Sequence, residues 1–266
     1  MTATIVRPQR HRITPLAGLR HGLTIAWRNL TRIKHSPEQL LDLTLQPIIF
    51  IVLFVFLFGG AISGNWHTYL QYVLPGILVQ TVVFASMGTG TGLAEDITKG
   101  VFDRFRSLPI ARWAPLFGTV LSDVTRYVIS LLIVLIAGLV LGFHFTGGIL
   151  GVVAASLLVL AFTFALSWVS ALVGLLAKKP QSVQGLAIVV MFPLTFGSNL
   201  FVQTSTLPGW LQAFVKVNPV SHLITAVRGL FTGHVATGDV VISLVAAVVV
   251  VAVFAPVAVA VYRRTT

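Results

Sequence analysis

The sequence predicts an all-α integral membrane protein with six transmembrane helices, an N-terminal amphipathic interfacial helix and short helices between the last two spans. Three observations support this class. Of the 266 residues, 56% are hydrophobic and only 9% are charged, with a mean hydropathy of +0.94, whereas a soluble domain carries roughly 25% charged residues. Long apolar runs alternate with short polar segments. The basic residues, which give a net charge of +11, are concentrated in alternate segments, as membrane orientation requires.

The first 35 residues are basic, and apolar residues recur at helical spacing from Ile13 to Ile33 with arginines between them. This pattern is typical of an amphipathic helix on the cytoplasmic membrane face, with Trp27 suited to the interface. The alternative is a helix packed on a soluble partner. Residues 1–35 are therefore predicted to form a cytoplasmic tail and interfacial helix. No apolar core precedes about Leu43, so we expect no cleavable signal peptide.

The remaining chain, residues 36–266, is predicted to form one transmembrane domain. Its six spans lie at about residues 41–62, 69–94, 116–141, 149–177, 183–201 and 240–262. Gly88 and Gly92 form a GxxxG pair in the second span, which predicts close approach of another helix. Asp123 and Arg126 are three residues apart in the third span and are predicted to form an intramembrane ion pair near its cytoplasmic edge.

Between spans five and six, two amphipathic stretches within residues 207–234 are too short to cross a membrane. Asn218 is suited to cap the second stretch, and Pro219 is suited to its first helical turn. We interpret both as short helices at the outer membrane face.

The distribution of lysine and arginine predicts the orientation. Fifteen of the eighteen lie in segments that six spans would place in the cytoplasm, and only Lys216 and Arg228 lie in outer segments. The last, Arg126, is within a span. This bias predicts that both termini are cytoplasmic.

The segment Glu95–Pro115 is the most polar internal part of the chain. It holds three of the seven acidic residues and four of the eighteen basic ones, between two apolar spans. It must therefore leave the membrane, and its basic excess places it on the cytoplasmic side. We interpret it as a docking segment for another protein, the alternative being a solvated loop.

Several kinds of chemistry have no sequence support. No lysine follows a glycine, so no P-loop is present, and neither H-E-x-x-H nor G-x-S-x-G occurs. The chain has no cysteine, and its histidines are scattered singly, so we expect no metal site or cofactor in this chain. Carboxylates deep in the membrane, which proton-driven transport needs, are also missing. Active transport would therefore need a separate motor protein.

Several motifs resemble those of a known family. They are Asp96–Pro109, Pro37–Leu40, Tyr69–Gly76, Phe192–Phe196 and Asn218–His222 followed by Ala226–Leu230. The chain is similar over nearly its whole length to ABC-2 type permeases, and most similar to the daunorubicin/doxorubicin-resistance branch. The resemblance implies six spans, re-entrant helices before the last span, and a cell-membrane location.

The resemblance also implies an assembly of two permease chains, most simply a homodimer, with two copies of a separate ABC ATPase that binds ATP and Mg²⁺. In the family, the segment after the second span forms a coupling helix in a cleft of that ATPase. The resemblance assigns eight residues of this chain to the contact with the ATPase: Glu95, Asp96, Gly100, Phe102, Asp103, Arg104, Phe105 and Arg106.

The expected activity is export of hydrophobic or amphipathic compounds, with antibiotics favoured. The substrate path would lie between two permease chains along the first, second and fifth spans. Its predicted lining is Gln46, Phe50, Phe54, Gln80, Phe84, Phe192 and Phe196. Two alternatives remain: export of a glycolipid, polysaccharide or teichoic-acid-type polymer, and a membrane scaffold or enzyme that transports nothing.

Overall fold

The computed structural model describes residues 37–101, 114–177 and 179–265, and all regular secondary structure in these ranges is helical. In chain order the elements are α1 (Pro37–Val52), a π-helical segment (Leu53–Phe58), α2 (Gly59–Ser63), α3 (Trp66–Ala85), α4 (Met87–Thr98), α5 (Ala114–Val140), α6 (Gly148–Ala177), α7 (Pro180–Phe196), a 3₁₀ turn (Thr204–Thr206), α8 (Gly209–Val217), α9 (Pro219–Thr232) and α10 (Thr237–Thr265). The all-α prediction is confirmed for the described residues. The predicted interfacial helix within residues 1–35 lies outside them.

Within the described ranges, five helical segments are long and apolar enough to cross a membrane. They are Thr44–Ser63, Trp66–Thr98, Pro115–Val140, Gly148–Ala177 and Thr237–Tyr262. The chain is therefore a multi-pass membrane protein. The helix at the predicted fifth span, α7, has 17 residues and is about 25 Å long at 1.5 Å per residue, slightly less than the ~30 Å hydrocarbon core.

The predicted fifth span, 183–201, extends too far. Helix α7 ends at Phe196, and residues 197–203 form an irregular loop. The amide of Asn218 explains the end of the helix, because its Nδ2 donates to the carbonyl of Leu194 at 2.7 Å and to that of Gly197 at 3.3 Å. These bonds satisfy carbonyl groups that the last turn leaves unpaired.

Asn218 also begins the next helix, as the sequence predicted. Its Oδ1 accepts the backbone N–H of Val220 at 2.9 Å, and Pro219 is the first residue of α9. One side chain therefore joins the end of α7 to the start of α9. The two short helices, α8 and α9, lie beside this junction.

Tight turns gather at one end of the bundle, which we call the distal end. Gly64, Gly142 and Gly233 lie there with φ of 69°, 86° and 81°, a conformation that favours glycine. Gln71 joins α3 to the connection between α5 and α6, since its Nε2 donates to the Gly142 carbonyl at 3.0 Å. The opposite, proximal end holds Lys99 and Lys179.

Helix α6 is central, because α10, α4 and α9 all pack against it. Its closest approach to α4 is at Gly90 and Gly174. A Cβ on either glycine would collide with backbone of the other helix. Among the described residues, the GxxxG pair does not form the closest helix contact: Gly92 has no neighbour within 4 Å of a Cβ position, and Gly88 makes room for the Arg126 guanidinium of α5.

The first two membrane helices are both irregular. Helix α1 continues into α2 through the π-helical turn Leu53–Phe58. Helices α3 and α4 are separated at Ser86, whose hydroxyl donates to the carbonyl of Val83 at 2.6 Å. Such interruptions concentrate at functional sites in membrane helices and at bends.

Candidate functional site

Phenylalanine rings form a continuous series between the first membrane helix and α7. The ring centroids of Phe192 and Phe196 are 4.1 Å apart, those of Phe196 and Phe201 5.3 Å, and those of Phe201 and Phe54 4.1 Å. Phe54 also stacks on Phe50 at 5.7 Å and on Phe58 at 5.5 Å. We call these six residues the aromatic ladder. It brings together four of the predicted path residues, namely Phe50, Phe54, Phe192 and Phe196.

The ladder is accessible along its length. Phe192 is 49% exposed and Phe58 is 39% exposed, while the rings between them are partly buried. Stacked rings present flat apolar faces that suit aromatic or aliphatic compounds. The ladder is therefore a surface on which a hydrophobic molecule can lie.

Phe201 links the two halves of the ladder, and sequence analysis did not select it. It lies in the loop 197–203, which is fixed on α3. Leu200 is fully buried against Gly76, where a Cβ would come within 2.8 Å of the leucine Cγ. The hydroxyl of Tyr69 donates to the Phe201 carbonyl at 3.1 Å. The signal for this role is the aromatic residue just beyond α7, which becomes informative only once the helix is known to end at Phe196.

The other predicted path residues make none of the ring contacts of the ladder. Gln46 is exposed on α1. Gln80 is buried within α3 at 4% exposure, and its Oε1 has no hydrogen-bond partner among the described residues. Phe84 packs against the main hydrophobic core. Their role in a substrate path stays a prediction.

Asp123 and Arg126 lie on α5 next to α4. Arg126 Nη1 is 3.5 Å from Asp123 Oδ1, and Asp123 is 7% exposed. One turn away, the hydroxyls of Thr89 and Tyr127 are 2.9 Å apart. The four polar side chains therefore form a group between α4 and α5 that is buried except for the partly exposed Arg126. Pairing and hydrogen bonding lower the cost of such groups in an apolar environment.

The predicted ATPase contact is described only at its start. Helix α4 ends at Thr98, and Gly100 follows with φ of 67°. Glu95 and Lys99 form an exposed ion pair at 3.0 Å on its last turn, and Asp96 is on the same turn. The remaining predicted contact residues, Phe102, Asp103, Arg104, Phe105 and Arg106, lie outside the described residues. The contact itself stays a prediction.

Comparison with known proteins identifies the family. Residues 21–232 match the family model of the ABC-2 type transporter. The chain is 47% identical over 242 residues to the daunorubicin resistance ABC transporter permease protein DrrB1 of Streptomyces coeruleorubidus, covering 91% of this chain and 86% of that protein.

Two more distant relatives belong to other bacteria. The doxorubicin resistance ABC transporter permease protein DrrB of Mycobacterium tuberculosis is 34% identical over 69% of this chain and 66% of its own length. The inner membrane transport permease YadH of Escherichia coli is 25% identical over 70% of this chain and 74% of its own length. Membership of this permease family implies an ABC ATPase as partner. The match across most of the chain, together with its bundle of apolar helices, shows that the protein belongs to the ABC-2 type transporter family.

Proposed function

We propose that this chain is the membrane-spanning subunit of an ATP-driven exporter of hydrophobic or amphipathic compounds, including drugs of the daunorubicin and doxorubicin type. The aromatic ladder carries this proposal, because it offers stacked apolar rings on an accessible face. The names of the drug-resistance relatives support the same substrate class. The exporter lies in the cell membrane with six spans, counting α7, and with both termini in the cytoplasm.

The energy comes from a separate ABC ATPase. Two permease chains, most simply a homodimer, bind two copies of it, and the ATPase holds the ATP and Mg²⁺. The segment 95–115 contacts each ATPase, with Phe102 and Phe105 filling a pocket and Asp103, Arg104 and Arg106 bonding at its rim. Closure of the ATPase pair moves these segments and shifts the permease pair from an inward-facing to an outward-releasing state.

Co-purification tests the partner. The wild-type chain and the variant Asp103→Ala with Arg104→Ala are purified from native membranes, and bound proteins are identified by mass spectrometry. We expect an ABC ATPase with the wild type and its loss from the variant. A matched control, Lys178→Ala with Lys179→Ala, removes charge from another predicted cytoplasmic loop and should retain the ATPase.

Reconstituted complexes test the substrate. We expect daunorubicin to stimulate ATP hydrolysis and to be transported by vesicles that contain both proteins.

In the co-purification test, retention of the ATPase by both variants would show that the contact does not depend on Asp103 and Arg104. The absence of any ATPase, even after mild crosslinking, would contradict the exporter function and favour a scaffold.

A further inference from the structure

A cavity of about 510 Å³ opens at the distal end between the first two membrane helices, the loop 197–203 and α9. Its size is typical of small-ligand sites. The lining combines one cation and several uncharged polar groups with one ring of the aromatic ladder. The lining residues used below are Ser63, Thr68, Tyr72, Phe201, Gln203 and Arg228.

Arg228 is the cation of this cavity, and it is held in place from two sides. Its Nε donates to the carbonyl of Tyr72 and its Nη2 to that of Asn199, both at 3.2 Å. Its guanidinium carbon lies 4.0 Å from the centre of the Tyr72 ring. The Tyr72 hydroxyl also donates to Asn199, at 2.9 Å, so the acceptors are themselves fixed.

The guanidinium retains unused bonding capacity. It has five N–H donors; two donate to backbone carbonyls of the described residues, and the Tyr72 side chain also interacts with the guanidinium. No carboxylate of the described residues lies within ion-pair distance of it. Burial lowers the pKa of Arg228, although Tyr72 acts in the opposite direction. A partly buried cation without a counter-ion is costly, and an anion in the cavity would offset that cost.

Neighbouring groups add hydrogen-bond donors. Ser63, Thr68 and Gln203 line the cavity, and their exposed side chains can donate hydrogen bonds to a ligand there. An arginine with hydroxyl and amide donors around it suits an anion with several oxygens, since guanidinium matches phosphate geometry in particular. A cationic amine would be repelled.

We propose that this cavity binds the phosphate group of an anionic phosphate ester, held by Arg228, with any apolar part of the ligand beside Phe201. The source of the phosphate is either a membrane phospholipid or a free phosphate ester. The site does not depend on the transport function proposed above. It shares Phe201 with the aromatic ladder, but its ligand is an anion, because the positive charge of Arg228 disfavours a cation there.

Native mass spectrometry of the purified full chain in detergent tests the site, with phosphatidylglycerol, phosphatidylcholine and glycerol 3-phosphate as probes. We expect phosphatidylglycerol or glycerol 3-phosphate to bind, and its affinity to fall about tenfold or more in Arg228→Gln, which removes a charge-assisted bond. Preferential binding of zwitterionic phosphatidylcholine would contradict a site for an anion. Binding of phosphatidylglycerol alone identifies a lipid site. Binding of glycerol 3-phosphate as well identifies a site for the free ester.

Two further variants separate binding from folding. Gln203→Glu leaves Arg228 in place and adds a carboxylate of the same shape to the lining, so we expect the same loss. Its control, Gln184→Glu, adds the same charge to an exposed position on α7 outside the cavity. Lys216→Gln removes the other distal cation, which is exposed, and should bind like the wild type. Equal binding by Arg228→Gln, Gln203→Glu and the wild type, or binding by none of the probes, would overturn the proposal.

Discussion

The Nδ1 atom of His222 lies 2.6 Å from Oδ1 of Asp239 and joins α9 to the first turn of α10. The other ring nitrogen, Nε2, lies 2.9 Å from the carbonyl oxygen of Lys216 at the end of α8. The imidazole therefore connects three helices, and when it is protonated both ring nitrogens donate. Both side chains are mostly buried, at 21% and 27% exposure.

A double-mutant cycle measures this connection. We expect His222→Ala and Asp239→Asn each to lower the midpoint of thermal unfolding in detergent, and the double variant to be little worse than either. The coupling should be about 0.5–3 kcal/mol, since the two residues share one partly buried contact. The pair Glu95 and Lys99 is the control: it is exposed at 50% and 60%, so its coupling should be about 0.3–0.5 kcal/mol. Equal coupling in both pairs would show that His222 and Asp239 do not act together.

Asn218 performs two functions that substitutions can separate. Asn218→Asp keeps an oxygen for the N–H of Val220 but cannot donate to the carbonyls of Leu194 and Gly197. Asn218→Ala loses the cap as well, which costs about 0.5–2 kcal/mol more. The midpoint of thermal unfolding should therefore be highest for the wild type, lower for Asn218→Asp and lowest for Asn218→Ala. A stability of Asn218→Asp equal to that of the wild type would show that the bonds to α7 contribute nothing.

The crossing of α4 and α6 predicts opposite effects for two neighbouring glycines. Gly90→Ala places a methyl group against the Ser170 carbonyl and should destabilise the protein. Gly92→Ala meets open space and should be neutral or stabilise the helix by about 0.5–1 kcal/mol. Unfolding midpoints of both variants in detergent check the difference. If Gly92→Ala destabilised the protein and Gly90→Ala did not, the close helix contact would lie on the Gly92 face of α4, with a partner there, and not at the crossing with α6.

The role of the aromatic ladder can be separated from simple packing. Phe201→Ala breaks the link between Phe54 and Phe196, and we expect slower daunorubicin transport in reconstituted vesicles. Phe145→Ala is the control: it is also partly buried and also loses two ring contacts, to Phe143 and Phe231. Each ring pair contributes about 0.5–1.5 kcal/mol, so both variants should lose similar stability. Equal transport rates for Phe201→Ala and Phe145→Ala would show that the ladder contributes to packing and not to transport.

The sequence predicted most of what depends on local pattern. Apolar length predicted the membrane helices, and Asn218 with Pro219 predicted the start of α9, because caps and proline act within one turn. The packing of Gly90 was missed since GxxxG spacing is a property of one helix, whereas the contact depends on which face meets α6. The end of α7 was missed because an amide more than twenty residues later determines it.

The candidate site also combines residues that local spacing predicted with residues that only contacts between distant parts of the chain bring into place. Four of the predicted path residues fall on one ladder because i, i+4 spacing places Phe50 with Phe54, and Phe192 with Phe196, on common helix faces. Phe201 and Arg228 had no such signal. Their positions depend on Leu200 entering the space above Gly76 and on carbonyl acceptors from two different elements, which are relationships between distant parts of the chain.

The π-helical turn Leu53–Phe58 has a consequence for motion of the first membrane helix. A π turn holds one residue more than an α turn, and one residue corresponds to about 100° of rotation. If the turn tightened to α geometry, the residues before it would rotate by about that angle relative to Gly59–Ser63, and Phe50 would leave the face that it shares with Phe58. A change between π and α geometry in this turn would therefore rotate Phe50 relative to Phe58 while the first membrane helix stays continuous.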